Sequence, residues 1–114
     1  MPLLSIETNV NCSDEQITKL TANASKLVAE MLAKPERYVM VKFQYNKHMR
    51  FDGNENLLAY VELKSINLTE QQTASYSGIL CEFLSQMLNI EVDRIYIEFA
   101  NAQRHLWGWN NATF

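Results

Sequence analysis

A proline stands second in the chain, and this position gives it chemistry that an internal proline lacks. Pro2 follows Met1, and a small second residue is the usual condition for removal of the initiator methionine, which leaves a free secondary amine. An α-amino group titrates near about 7.7–8.0, and burial in an apolar site lowers that pKa. A neutral proline amine can act as a general base or a nucleophile. A second-position proline is also common where it has no role, so both interpretations stay open.

Two other side chains are candidates for binding a substrate, and each also has a structural explanation. Lys34 follows the first predicted helix, where a cation suits the helix dipole; a functional Lys34 would bind an anionic group. Tyr96 lies in the last predicted strand, opposite the apolar face, and would either line a site or pack against a neighbour. No Ser/His/Asp set, phosphate-binding glycine loop or pair of carboxylates is visible. Four methionines are predicted to fill the core: Met31, Met40, Met49 and Met87.

The C-terminal segment 106–114 holds both tryptophans and ends on Phe114. Large aromatic side chains gain little on a disordered end, because their apolar surface would stay in water. This segment is therefore predicted to dock at an interface or over a pocket.

Composition excludes several classes of protein. The 114 residues carry a net charge of −3, and the ten Lys and Arg are scattered, which argues against a nucleic-acid partner. Two cysteines without a Cys-x-x-Cys and two histidines far from them exclude a structural zinc site, so no metal ligands are predicted. No run of about 18 apolar residues occurs, so no membrane partner is predicted. Without a signal peptide, we expect a cytoplasmic protein, with signal-peptide-independent secretion also possible.

The candidate residues are positioned by two similar halves. Residues 13–33 show an amphipathic helical stripe that begins at a Ser13–Gln16 capping box, and Pro35 cannot continue the helix. Strands are predicted before and after it, at 3–8 and 38–45. The second half repeats this order, with strands at 57–66 and 94–99 and a helix after a Thr69–Gln72 capping box. The caps, stripes and following strands match at an offset of 56 residues, which indicates a duplicated β-α-β unit.

One α+β domain over residues 1–114 follows from this duplication. Two β-α-β units side by side predict a four-stranded sheet with both helices on one face. The other face is predicted to carry enough apolar residues to need a cover, and the chain has only a short tail left to supply one. Oligomerisation is therefore expected.

The chain resembles the macrophage migration inhibitory factor family of the tautomerase superfamily over essentially its whole length. The segments that carry the resemblance are Met1-Pro2, Lys34-Pro35, Ser75-Tyr76-Ser77, Asp93-Arg94-Ile95-Tyr96-Ile97 and Gly108-Trp109-Asn110-Asn111-Ala112-Thr113-Phe114. The resemblance implies a homotrimer with active sites between subunits, and a cofactor-independent keto–enol tautomerase that acts on phenylpyruvate-type aryl 2-oxo acids. It implies that Pro2 is the catalytic base and that Lys34 and the Ile66 N–H bind the substrate carboxylate. It also implies that three aromatic residues line the pocket: Tyr96 of the neighbouring subunit, Trp109 and Phe114.

Three departures from the family pattern bear on function. Glu98 replaces an asparagine that is usual in the animal members, and its charge would repel an anionic substrate or raise pKa values in the pocket. Trp107 stands where a smaller aliphatic residue is common, which would narrow the entrance. The family's Cys-x-x-Cys is replaced by residues 58–61, Leu-Ala-Tyr-Val, so thiol-disulfide activity is not expected. One alternative function is a cytokine-like secreted ligand that binds a receptor and keeps a vestigial pocket. Another is a trimeric protein whose pocket binds an unrelated small molecule.

Overall fold

The computed structural model describes residues 1–114 and shows two successive β-α-β units. The first unit contains β1 (Leu3–Thr8), α1 (Asp14–Leu32), a 3-10 helix (Glu36–Tyr38) and β2 (Met40–Tyr45). The second contains β3 (Ala59–Ile66), α2 (Glu70–Leu88), a 3-10 helix (Val92–Arg94) and β4 (Ile95–Ala102). A third 3-10 helix (Arg104–Leu106) leads into a hairpin of β5 (Gly108–Trp109) and β6 (Ala112–Thr113). The two α-helices keep the 56-residue offset at both ends.

Four strands form one mixed sheet in the order β2-β1-β3-β4. β1 runs parallel to β2, β3 runs parallel to β4, and the two units meet through the antiparallel pair β1 and β3. Each helix is thus the crossover between two parallel strands, the connection that such strands require. The predicted four-stranded sheet of duplicated units is confirmed.

The core lies between one face of the sheet and both helices. Alternate residues of β1 and β3 point to this side and are fully buried, as the period of two along a strand requires. The helices contribute one residue per turn to the same cluster, so both cover a single face. Its fully buried members include Leu4, Ile6, Val61, Leu63, Leu20, Val28, Leu80 and Leu84.

The two helix starts differ, although the sequence predicts a capping box at both. At α1 the Ser13 hydroxyl accepts from the Gln16 N–H at 3.2 Å, and the Gln16 amide oxygen accepts from the Ser13 N–H at 2.8 Å. At α2 the Thr69 hydroxyl donates to the Gln72 amide oxygen at 2.7 Å and makes no bond to a backbone N–H. The prediction of a second capping box is therefore wrong, because the Thr69 side chain bonds to the Gln72 side chain instead of to a backbone N–H.

The uncovered face of the sheet mixes polar with apolar and aromatic side chains. The apolar and aromatic ones include Leu3, Met40, Tyr60, Tyr96 and Ala100. The polar side chains on this face are Ser5, Glu7, Lys42, Gln44, Glu62, Lys64 and Glu98. The expectation that this face carries enough apolar residues to need a cover stays a prediction. No helix of the chain is both long and apolar enough to cross a membrane.

Candidate active site

A cavity of about 700 Å³ lies beside the start of β1. It is bounded by the first residues of the chain, the 3-10 helix after α1, the end of β4 and the C-terminal segment. Eleven of its sixteen lining residues are hydrophobic. The wall includes four of the residues predicted to form the site: Pro2, Trp107, Trp109 and Phe114. Lys34 and Ile66, which are also predicted site residues, are not among the lining residues. The first and last segments of the chain therefore meet at one place, as predicted for a docked tail.

Pro2 is fixed at this wall by the sheet. Its carbonyl accepts a hydrogen bond from the Met40 N–H at 2.9 Å, which continues the β1–β2 ladder to the second residue of the chain. The Pro2 ring is fully buried, while Met1 is half-buried and also lines the cavity. Removal of Met1 would therefore leave the Pro2 amine on a rigid strand at the cavity wall.

The electrostatics of this corner favour a neutral amine. Burial, followed by the nearby Lys34 ammonium, lowers the pKa of the Met1 α-amino group from its ordinary value. Both causes act against the protonated form, because a buried ammonium loses hydration and a second cation repels it. An amine one residue further into the fold lies in the same surroundings.

Lys34 reaches this corner from the end of α1. The helix ends at Leu32, Ala33 adopts the left-handed conformation with φ 53°, and the Lys34 side chain then extends to β3. Its Nζ donates to the Ile66 carbonyl oxygen at 3.0 Å. An ammonium has three N–H donors and this contact uses one. No carboxylate lies within 4.0 Å of Lys34, since the one ion pair of the chain joins Arg50 and Glu55. The charge of Lys34 is thus available to an anionic ligand.

Three aromatic rings form one side of the cavity. Trp109 and Phe114 stack with their centroids 5.4 Å apart and an interplanar angle of 6°. The Tyr38 ring meets both edge-on, at 5.4 Å and 5.8 Å. The Arg37 guanidinium lies 4.8 Å from the Tyr38 centroid, within the range of a cation–π interaction. This arrangement offers a flat apolar surface to an aryl group.

The C-terminal hairpin holds two of these rings in place. Asn110 and Asn111 connect β5 to β6 and both have positive φ, 53° and 63°. A two-residue turn with both residues in this region matches the twist of a hairpin, and asparagine tolerates it better than most residues. The Phe114 N–H then donates to the Trp107 carbonyl at 3.1 Å. The turn at Asn110 and Asn111 therefore reverses the chain and brings the Phe114 ring against the Trp109 ring.

Tyr96 and Glu98 lie outside this cavity within one chain. Both are on the uncovered face of β4, where Tyr96 is 64% exposed. The Tyr96 ring contacts Phe51, with centroids 4.6 Å apart, and lines a second cavity of about 500 Å³. Glu98 is paired in register with Glu62, whose carboxylate accepts from the Tyr60 hydroxyl at 3.0 Å. Burial, that hydrogen bond and the two carboxylates raise the pKa of Tyr60.

Comparison with known proteins assigns the chain to a family. The family described as macrophage migration inhibitory factor matches residues 1–114. The chain belongs to this family. It is 33% identical to the macrophage migration inhibitory factor of Xenopus tropicalis, over 100% of this chain and 99% of that one. The solved homologue from Prochlorococcus marinus has 40% identity and a TM-score of 0.92, with 98% of each chain covered. The Trichinella spiralis protein has 29% identity and a TM-score of 0.90, with 98% and 99% covered.

Several wall residues of this family member are not singled out by its sequence. Met40 is predicted to fill the core but is 65% exposed and lines the cavity, because it lies on the uncovered face of β2. Arg37 and Tyr38 belong to a 3-10 helix that the strand pattern conceals. Lys64 lies at a polar position of β3, where the sequence does not distinguish it from other exposed lysines. Its pairing with Leu3 of β1 brings it to the cavity wall.

Proposed function

We propose that this protein is a cofactor-independent keto–enol tautomerase of phenylpyruvate-type aryl 2-oxo acids, with Pro2 as the general base. Membership of the macrophage migration inhibitory factor family, within the tautomerase superfamily, supports an isomerase. The single observation that carries the specific proposal is the position of Pro2. It is fixed at the wall of the largest cavity, close to the unpaired cation of Lys34 and opposite a stack of aromatic rings.

The proton transfer needs only the Pro2 amine. With Met1 removed, the neutral nitrogen takes a proton from C3 of the 2-oxo acid, and the C–H electron pair becomes the C2–C3 double bond. The carbonyl electrons move to the oxygen, and the protonated Pro2 amine then gives its proton to this oxygen, which completes the enol. Pro2 returns to its neutral form when it releases its proton. In the reverse direction the protonated amine delivers the proton to C3. Positioned acid–base catalysis of this kind contributes about 10²–10⁴-fold.

Lys34 binds the substrate carboxylate in this proposal. Its Nζ contacts the carbonyl of Ile66, which holds the ammonium near the Pro2 corner and leaves two donors for the ligand. A charge-assisted hydrogen bond of this kind contributes about 1.5–3 kcal/mol. The backbone N–H of Ile66 is proposed to assist. The same cation favours the neutral form of Pro2, so one residue serves both binding and catalysis.

The aromatic wall binds the aryl ring of the substrate. Trp109, Phe114 and Tyr38 present ring faces and edges to one side of the cavity, and Trp107 narrows its entrance. We propose that the working unit is a homotrimer, in which Tyr96 and Glu98 of a neighbouring subunit complete the pocket. Their exposure on an uncovered sheet face supports this assembly. Light scattering should then give three times the 13.2 kDa mass of one chain.

The test compares phenylpyruvate tautomerisation by the wild type, Pro2→Gly and Lys34→Ala, each checked by intact mass for loss of Met1. Pro2→Gly should lower kcat by about 10²-fold or more, because a primary amine on a more flexible residue replaces the fixed base. Lys26→Ala removes an exposed lysine of α1 far from the cavity and serves as the control. Full activity in Pro2→Gly would contradict the proposal. A processed wild type without activity would favour the cytokine-like ligand instead.

A further inference from the structure

The side chains that line the cavity include two cations and no acid. Among its lining side chains only Arg37 and Lys64 are charged, although the chain as a whole has a net charge of −3. Lys34 adds a third cation at the Pro2 corner. Lining side chains whose charges all have one sign concentrate ligands of the opposite sign. Within one chain, before Glu98 of a neighbouring subunit is added, these side chains carry more positive charge than binding of a single carboxylate requires.

Lys64 is the cation that the proposed tautomerase reaction does not use. It lies on the uncovered face of β3, between Leu3 of β1 and Ala100 of β4, neither of which has a charge. The nearest acids on this face are one alternation away, Glu62 on β3 and Glu98 on β4, and neither comes within 4.0 Å of its nitrogen. Its ammonium is exposed and faces the open cavity beside the Pro2 corner.

The two lysines differ in what they can contact. Lys34 comes from the end of α1, and its Nζ is held at the Ile66 carbonyl. Lys64 comes from the middle of the sheet and has no hydrogen-bond partner, so it can move toward a ligand. Lys64 lines the cavity, and Lys34 lies beside it, near the Met1 amine. The cavity volume of about 700 Å³ is within the range of pockets for small organic molecules, roughly 300–1,000 Å³.

We propose that the cavity binds dianionic ligands, with one acid group on Lys34 and a second on Lys64. This inference rests on the proposed function for the group that Lys34 binds, and it specifies the substrate class as aryl 2-oxo acids that carry a further acidic substituent. The aromatic wall takes the ring between the two charges. Lys64 is a specificity residue here, because it contacts the substrate and has no part in the proton transfer.

The experiment compares phenylpyruvate with 4-carboxyphenylpyruvate, which adds one carboxylate at the far end of the ring. The measured quantity is the ratio of kcat/KM for the dianion to kcat/KM for the monoanion. The wild type should prefer the dianion about tenfold or more, and Lys64→Met should lower the ratio about tenfold. Lys42→Met removes a lysine from the same sheet face that does not line the cavity, and its ratio should equal that of the wild type.

Calorimetric binding of both acids separates the two proposals. If neither acid is tautomerised but the dianion binds about tenfold more tightly in a Lys64-dependent way, the proposed function fails and the dianion site stands. If both acids react and Lys64→Met leaves the ratio unchanged, the dianion site is overturned and the tautomerase stands. Equal kcat/KM and equal affinity for the two acids in the wild type would also overturn the dianion site. An ion pair between Lys64 and Glu98 of the partner subunit would overturn it as well.

Discussion

The cavity beside Pro2 has a counterpart in the second β-α-β unit. An offset of 56 residues carries Pro2 to Leu58 and Met40 to Tyr96. Leu58 and Tyr96 both line the second cavity, of about 500 Å³, at the corresponding end of β3. The duplicated fold therefore makes the same concave surface twice, at the start of the first strand of each unit.

Only one of the two cavities can carry the proposed chemistry. Leu58 lies inside the chain, so its nitrogen is an amide, and that N–H donates to the Asn9 side chain at 2.9 Å. The position equivalent to Lys34 is Ile90, which is completely buried in the core. In the first unit, the proposed base is Pro2, next to Met1, and the nearby cation is Lys34, which follows α1. The duplicated fold thus supplies the shape of both cavities, and the residues at two equivalent positions decide whether a cavity can have a base and a cation.

The largest expected effect comes from introducing a lysine into the second unit at Ile90, the position equivalent to Lys34. Ile90→Lys should lower the free energy of unfolding by about 4 kcal/mol or more, because an unpaired ammonium would enter a fully buried position. Ile90→Met nearly conserves volume and should cost less than about 1.5 kcal/mol. Urea unfolding measures both variants. A loss for Ile90→Lys no larger than that for Ile90→Met would show that this position admits water and could hold a cation.

The matching change in the first unit affects activity rather than folding. Lys34→Met keeps an unbranched side chain without charge, and we expect kcat/KM for phenylpyruvate to fall about 10- to 100-fold. Removal of the cation also raises the pKa of the nearby amine, so the rise of kcat/KM with pH should move to higher pH. Circular dichroism at each pH checks that the fold is retained. An unchanged rate and an unchanged pH profile would remove Lys34 from the site.

The smallest expected effect is a difference in stability loss when the first residue before each α-helix is replaced by alanine. Ser13→Ala removes a hydroxyl that caps a backbone N–H and should cost about 1 kcal/mol of stability. Thr69→Ala removes a hydroxyl that only contacts the Gln72 side chain and should cost less than about 0.5 kcal/mol. Thermal unfolding of the two variants measures the difference. Equal losses would mean that α2 is capped as α1 is.

The features that depend on local pattern could be predicted from the sequence. β1 begins and ends at the predicted residues, 3 and 8, and the alternation of Leu4 and Ile6 is read directly as a half-buried strand. The docking of the tail also follows from its own residues, because its aromatic side chains lose their hydration only when packed. Family resemblance then supplied the expectation that Pro2, Trp109 and Phe114 belong to one site, and the cavity brings these three together.

The features that depend on pairing between distant segments could not be predicted in this way. β2 begins at Met40 rather than two residues earlier, because residues 36–38 form a 3-10 helix whose bonds the apolar alternation does not reveal. Lys64 enters the wall only through the antiparallel register with Leu3. Tyr96 and Glu98 lie outside the cavity of a single chain, so their part in a pocket depends on assembly, about which periodicity carries no information.

The most direct test of the central claim is the titration of the Pro2 amine itself. In the Met1-free protein labelled with ¹⁵N at proline, the Pro2 nitrogen should titrate below the ordinary α-amino pKa of about 7.7–8.0. The reason is that Pro2 is buried in the corner where burial and Lys34 lower the pKa of the Met1 α-amino group. The same pKa should govern the rise of kcat/KM with pH for phenylpyruvate, since only the neutral amine accepts the proton. A Pro2 pKa at or above the ordinary value, or a pH profile that does not follow it, would contradict the account.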